Sequence, residues 1–376
     1  MKSSSDSPRP TTPRRLTAPR KLTAAAFALV AAGVLAVSCF AEAVGSSSFL
    51  SRPAGTPAPL HALADAGPWI HSPALTAEQL RGKVVLVDFW TYSCINCLRT
   101  LPYVRAWAER YKDAGLVVVG VHSPEFDFEK LPAHVQEATE RLRIGYPVVV
   151  DSDFRAWHAF GNRAWPALYF VDAQGRIRHQ QYGEGRYEQA EELIRKLLTE
   201  AGRGAALPPG LPTPIGVGTQ AAPAPRPALS EETYLGYARA SGFESRGDAA
   251  HDRVTTHSGT PPTQVDHWSL TGDWTVGPER VVLARPNGRI AYRFLARDVH
   301  LVLGTPADGK PVRFRVRVDG QAPLEDHGAD VDAEGLGVVD GYRLYQLVRR
   351  KANKRDALFE IEFLDPGVQA YAFTFG

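Results

Sequence analysis

Cys94 and Cys97 are separated by two residues, Ile95 and Asn96. An apolar run, Val84-Val85-Leu86-Val87-Asp88-Phe89-Trp90, leads into the pair, and a helical pattern from Leu98 to Tyr111 leads out. Cysteines at this spacing can close a small disulfide across the first turn of a helix. There the free backbone N–H groups and the helix dipole stabilise a thiolate. A strand that ends in C-x-x-C and opens a helix reads as a thiol–disulfide redox centre. Cys94, capping the helix and more exposed, is the expected nucleophile; Cys97, a turn further in, is the resolving thiol. Asp88 lies among apolar strand residues, where burial disfavours its charged form and suits it to accept a proton near Cys97. Half of a zinc site is the competing use of such a pair, but zinc normally takes four ligands and there is no second cysteine pair. No metal or cofactor is expected beyond the Cys94–Cys97 disulfide itself.

The surrounding pattern must hold these thiols in place. Lys83–Trp90 reads as a buried strand, Cys94–Lys112 as a helix with Pro102 inside it, and Leu116–Val121 as a second buried strand. A helical stretch from Phe126 to about Leu142, a strand over Tyr146–Val150 and a short helix over Asp153–Phe160 follow. Ala167–Val171 and Ile177–Tyr182 form a hairpin, and Tyr187–Leu198 is the last helix. Strands alternating with helices predict an α/β sandwich. Residues 201–229 carry seven prolines among Gly and Ala and read as a semi-stiff linker. Beyond it, short strands recur from Trp274 to Phe375, punctuated by Gly, Pro, Asn and Asp, which predicts an all-β sandwich or jelly roll.

The chain has 376 residues, three cysteines and a formal net charge of +2. That length allows two domains with extensions, the cysteine count excludes a disulfide scaffold, and the small charge gives no argument for nucleic acid. Residues 1–21 are basic and Leu22–Ala41 is uncharged and mostly apolar, the layout of a targeting segment. Everything downstream is expected outside the cytoplasm, in a periplasmic or similar compartment. Three fates are open: cleavage at Ala41-Glu42-Ala43, retention of residues 22–41 as an anchor, or lipid attachment at Cys39. The expected organisation is 1–43 signal peptide or anchor, 44–67 spacer, 68–200 redox domain, 201–229 linker and 230–376 β domain.

The stretch Val87-Asp88-Phe89-Trp90 followed by Cys94 and Cys97 resembles the thioredoxin superfamily. The wording Trp90-Thr91-Tyr92-Ser93-Cys94-Ile95-Asn96-Cys97-Leu98-Arg99-Thr100-Leu101-Pro102-Tyr103 is similar to the DipZ family, within the TlpA/ResA neighbourhood. Thr233-Tyr234-Leu235-Gly236-Tyr237, Ala296–Gly304 and Pro366–Gly376 extend that resemblance to the C-terminal domain, so it spans roughly residues 65–376. It implies a thioredoxin-like fold followed by a carbohydrate-binding-module-like β domain. It implies a cis bond at Trp165-Pro166 and a disulfide partner lying along that loop. Catalytic roles are implied for Cys94, Cys97, Asp88 and Pro166, and substrate contacts for Trp90 and Trp165. Glu125 resembles the acid near the disulfide in the TlpA/ResA group. His122 and His158 are read as structural or surface residues. The implied partners are disulfide-bearing exported proteins. DipZ proteins carry a multi-helix membrane domain ahead of this part, whereas here only Leu22–Ala41 could span, so a separate membrane electron donor is expected.

Two other functions stay in view. Thr91, three residues before Cys94, echoes the T-x-x-C of peroxiredoxins, although Val87 stands where their proline would be. The β domain could alternatively make the chain a glycan- or cell-wall-binding protein with an auxiliary redox domain. Trp268, Trp274, Tyr292, Tyr342 and Tyr345 could stack on sugars, but such residues more often fill a sandwich core.

Overall fold

The computed structural model describes residues 53–376 apart from 226, 227, 229, 246–249 and 352–354. The expected targeting segment, residues 1–43, and Cys39 lie outside the described residues. Among those described, no helix is long and apolar enough to cross a membrane.

The redox domain is built on a six-stranded sheet. In chain order its elements are α1 (His61–Ala64), β1 (Trp69–Ile70), α2 (Ala77–Leu80), β2 (Val84–Trp90), α3 (Ile95–Tyr111), β3 (Leu116–His122), α4 (Pro132–Arg141), β4 (Val148–Val150), α5 (Arg155–Phe160), β5 (Ala167–Val171), β6 (Ile177–Tyr182) and α6 (Tyr187–Glu200). The strand order is β1-β4-β3-β2-β5-β6. β2, β3 and β4 run parallel, and the remaining pairings are antiparallel. Side chains alternate along β2. Leu86 and Trp90 therefore share a core with Leu98, Leu101, Val104 and Trp107 of α3 and Ile194 of α6. Val85, Val87 and Phe89 face the other layer, with Trp157 and Phe160 of α5. Asp88 has the parity of Leu86 and Trp90, which places it under α3.

The helical stretch expected over Phe126–Leu142 is broken. Asp127–Lys130 forms a 3₁₀ turn and α4 starts afresh at Pro132, whose missing N–H suits a first helical position.

The C-terminal domain is all-antiparallel in its strands. They are β7 (Thr233–Tyr234), β8 (Val254–Ser258), β9 (Trp268–Val276), β10 (Val281–Leu283), β11 (Gly288–Phe294), β12 (Asp298–Gly304), β13 (Val312–Val318), β14 (Leu336–Val339), β15 (Arg343–Arg349), β16 (Ala357–Phe363) and β17 (Gln369–Phe375). The ladder runs β14-β13-β16-β11-β9-β10-β17-β12-β15, with β7 on β17 and β8 on β9. This one curled sheet closes on its own core, where Trp274 meets Phe363 and Tyr292 meets Phe373. Trp268, Trp274, Tyr292 and Tyr345 are fully buried, so they are core residues and offer no face to a sugar.

The described residues of the 201–229 stretch are held by side chains from both domains. Backbone carbonyls of this Pro-rich stretch have few N–H partners of their own, and arginines supply them: Arg195 donates to Pro208 and Arg110 to Gly210. Gln220 accepts from Arg105, and Gln346 of the β domain donates to Gly218. The two domains also share apolar contacts. Val302, Leu344, Tyr371 and Ala372 of the β domain belong to the same core cluster as α3. Tyr371 packs on Phe126 and Phe128 at ring distances of 5.2 and 4.7 Å, and Tyr342 stacks on His134. The described residues accordingly form one compact unit.

Candidate active site

β2 ends at Trp90, and a short turn delivers Cys94 to the start of α3. Cys94 has extended backbone (φ −81°, ψ 117°) and is the N-cap, its Sγ accepting from the Cys97 backbone N–H at 3.3 Å. Both cysteines are free thiols. Cys94 is half-buried, while Cys97 is 1% exposed. Burial pushes the Cys97 thiol well above its usual range, and the hydrogen bond and charge of Cys94 push it the same way, as does the charge of Asp88.

Asp88 is 1% exposed, and its Oδ1 has no hydrogen-bond partner. Burial raises it to about 7; the nearby Tyr146 phenol offsets part of that shift, although its own hydroxyl makes no hydrogen bond of good geometry. The structure places Cys94, Cys97 and Asp88 in one cluster, with the charge of Asp88 acting on Cys97. A carboxyl poised near neutrality beneath a buried thiol can take that thiol's proton.

The Trp165-Pro166 bond is cis. Trp165 lines a cleft of about 390 Å³ together with Cys94, Ile95 and Asn96. Its indole N–H donates to the Ser123 carbonyl at 3.1 Å, which fixes the ring. Trp90 is different. It is 1% exposed, edge-on to His122, and in contact with Gly120, where an added Cβ would lie 3.0 Å from its Nε1. It supports β2 from within the core and is not available as a substrate contact. His122 is fully buried, stacked on Tyr92, and held down to about 3 by burial. His158 is exposed. His122 is thus a core residue and His158 a surface one.

Several residues at the site were not singled out from sequence. Glu129 is fully buried and accepts from Ser93 Oγ at 2.6 Å, from the Ser93 N–H at 3.3 Å, and from the N–H groups of Glu125 and Phe126. It ties the residue before Cys94 to the loop carrying Glu125. Its only sequence signal is an acid three positions after Phe126, as in a capping pattern. Arg99, two residues beyond Cys97, is 4% exposed and reaches Glu184 and Asp298. The far wall of the cleft comes from the β domain through Glu232, Tyr234, Arg239 and Phe375. A larger groove of about 520 Å³ lies near the other end of α3, beside Arg105 and Lys112, away from the thiols.

Residues 230–376 match the family model described as thioredoxin like C-terminal domain, and residues 55–180 match the AhpC/TSA family model. The chain is 38% identical over 258 residues to Protein DipZ of Mycobacterium tuberculosis (strain CDC 1551 / Oshkosh), covering 66% of this chain and 36% of DipZ. It thus spans about a third of the length of that relative. It is 35% identical over 133 residues to Thiol-disulfide oxidoreductase YkuV of Bacillus subtilis (strain 168), covering 35% of this chain and 88% of YkuV. A solved thioredoxin-like protein in the oxidized form aligns at 32% identity and a TM-score of 0.34, over 39% of this chain and 96% of that one. With its paired cysteines at the start of α3 and a thiol–disulfide oxidoreductase matched over most of that relative's length, the chain belongs to the thioredoxin-like thiol–disulfide oxidoreductase family and is DipZ-like across both of its domains.

Proposed function

We propose that this chain exchanges disulfides with partner proteins outside the cytoplasm, acting as a reductant through Cys94 and Cys97. The observation that carries this reading is the asymmetry of the two thiols: Cys94 faces a cleft as a helix N-cap, while Cys97 is buried beside Asp88. The Cys94 thiolate attacks a partner disulfide lying along the Trp165-Pro166 loop, forming a mixed disulfide and releasing the partner's other sulfur. Cys97 gives its proton to Asp88 and attacks Cys94, so the partner leaves reduced by two electrons and Cys94–Cys97 is left oxidised. A separate membrane donor then restores the dithiol. The basic and apolar character of residues 1–41 supports export. A phosphatase reporter fused after Ala64 is expected to be active only if export occurs.

Trapping tests the mechanism. Cys97→Ser is expected to accumulate a covalent complex with the partner, and Cys94→Ser to lose turnover without trapping it. The reverse pattern would exchange the two roles.

The peroxidase alternative finds an echo in the AhpC/TSA match. Against it, Thr91 is fully buried and its hydroxyl contacts His122 Nε2 at 3.4 Å, so it is turned toward the core. Consumption of hydrogen peroxide by the reduced chain would be the result favouring it.

A further inference from the structure

Two acids from different domains share one hydroxyl at the mouth of the thiol cleft. The Tyr234 hydroxyl lies 2.9 Å from Glu232 Oε2 and makes a second, short hydrogen bond to Glu125 Oε1. A phenol has one proton to give. It donates to one carboxylate, so the other contact is a hydrogen bond only if that carboxyl carries a proton and donates to the phenol oxygen. The pair therefore holds one shared acidic proton. Arg239 packs 3.3 Å over the Tyr234 ring and lies 3.4 Å from Glu125, supplying one positive charge against the one remaining negative charge. Cys94, Glu125, Glu232, Tyr234 and Arg239 all line the same cleft.

We propose that the β domain completes the redox site: Glu232, Tyr234 and Arg239 keep a proton on the Glu125–Glu232 pair and deliver it to the thiolate that leaves when Cys94 attacks a disulfide. The proposal rests on Cys94 being the nucleophile. In the step, Cys94 Sγ bonds to one substrate sulfur and the substrate S–S bond breaks. The other sulfur departs with the electron pair and takes the carboxyl proton. Both acids are then charged, and water restores the proton after the product leaves. Tyr234 and Arg239 are positioning residues that act through the acids.

The protonation states agree with the geometry. Burial raises Glu125 to about 7, with the charges of Glu232 and Glu129 pushing the same way and Tyr234 and Arg239 opposing. Partial desolvation at the cleft rim also raises Glu232, although the residue as a whole is exposed. The other ionisable groups facing Glu125 are Glu279 across a small neighbouring hollow and Cys94 itself.

The test uses leaving groups of different basicity. The reduced full chain is mixed with an aromatic disulfide, dithiobis(nitrobenzoate), whose thiolate departs without needing a proton at pH 7. It is mixed separately with oxidised glutathione, whose alkyl thiol has an ordinary pKa near about 8.5. The readout is the ratio of the alkyl rate to the aromatic rate. In Tyr234→Phe and in Glu232→Gln this ratio is expected to fall about a hundredfold, the low end of general acid catalysis. Glu232→Asp is expected to recover part of it. In the unsubstituted chain the ratio should fall as pH rises through about 7, where Glu125 loses its proton, and Tyr234→Phe should flatten that step. Glu232 is on an exposed stretch, so Glu232→Gln does not depend on rebuilding the core. A ratio that stays constant in both variants, whether the two rates hold or fall together, overturns the proposal. If the unsubstituted chain reacts with neither disulfide, the assignment of Cys94 falls, and this proposal with it.

Discussion

Arg99 Nη2 lies 3.7 Å from Asp298 Oδ2, and this pair joins the helix that carries Cys97 to the β domain. Both side chains are buried, at 4% and 0% exposure. Asp298 also accepts from Arg297 and Arg349, so one buried carboxylate serves three guanidinium groups. Removing the shared anion leaves three cations facing one another. Asp298→Ala is therefore expected to cost about 3–5 kcal/mol, the range for a broken buried ion pair. Arg99→Ala should cost less, because Asp298 keeps two arginines. Urea unfolding of both variants checks the order; equal costs would mean the three arginines do not act through Asp298.

Limited proteolysis should fail to separate the two domains. Pro208 and Gly218 of the 201–229 segment are hydrogen-bonded one to each domain, and Tyr371 and Tyr342 pack on Phe126, Phe128 and His134. Phe128→Ala, which empties a buried aromatic position at this junction, is expected to cost about 3–5 kcal/mol. It should also open residues 201–229 to cleavage. Two stable fragments from the unsubstituted chain would contradict this.

The placement of Cys94 and Cys97 was legible in the sequence because its parts are local: a strand, two cysteines and a helix follow one another within a few turns. The hairpin Ala167–Val171 with Ile177–Tyr182 was equally plain, since alternation and the Asp172–Gly175 turn agree. Val254–Ser258 was not, because four of its five residues are Thr, His or Ser and it lies at an edge of the sheet on β9. Leu336–Val339 is short and half-exposed, so neither period nor burial marks it. Trp90, which the resemblance implies as a substrate contact, is turned inward by the alternation along β2. Glu129, Arg99 and the Tyr234 cluster depend on contacts across 36 to 199 positions of chain, which no local pattern encodes.

Two buried histidines should make the protein acid-sensitive. His122 and His300 are both held down to about 3, by burial first, with Arg99 adding to the effect at His300. Unfolded, each would bind a proton near about 6.5, so the unfolded state takes up protons first as pH falls. Their contribution is thus full above about 6.5 and is lost toward pH 3. His300→Gln should lower the slope of unfolding free energy against pH by about one proton at pH 5, roughly 1.4 kcal/mol per pH unit. Comparing slopes, not absolute stabilities, keeps lost packing out of the result. An unchanged slope would mean His300 titrates alike in both states.

Asp88 should work in the opposite direction. Its folded pKa is raised to about 7 from 3.8, so the native state holds a proton that the unfolded state has already lost. Below about pH 4 both states are protonated and Asp88 carries no penalty. Between about 4 and 7 the native state binds more protons, and stability falls as pH rises. Above about 7 the penalty is constant, at up to about 4 kcal/mol for a shift of this size. Asp88→Asn removes the ionisation with little change in shape. It should leave stability near pH 3 almost unaltered and raise it by up to that amount at pH 8. The same substitution removes the group proposed to take the Cys97 proton. Reaction of Cys94 with a disulfide should then proceed near its usual rate while release of the mixed disulfide slows by about a hundredfold, the low end of general base catalysis. Unfolding curves at pH 3 and 8, with stopped-flow separation of the two steps, test both halves. A gain in stability with unslowed release would keep Asp88 as a buried acid and remove it from the chemistry.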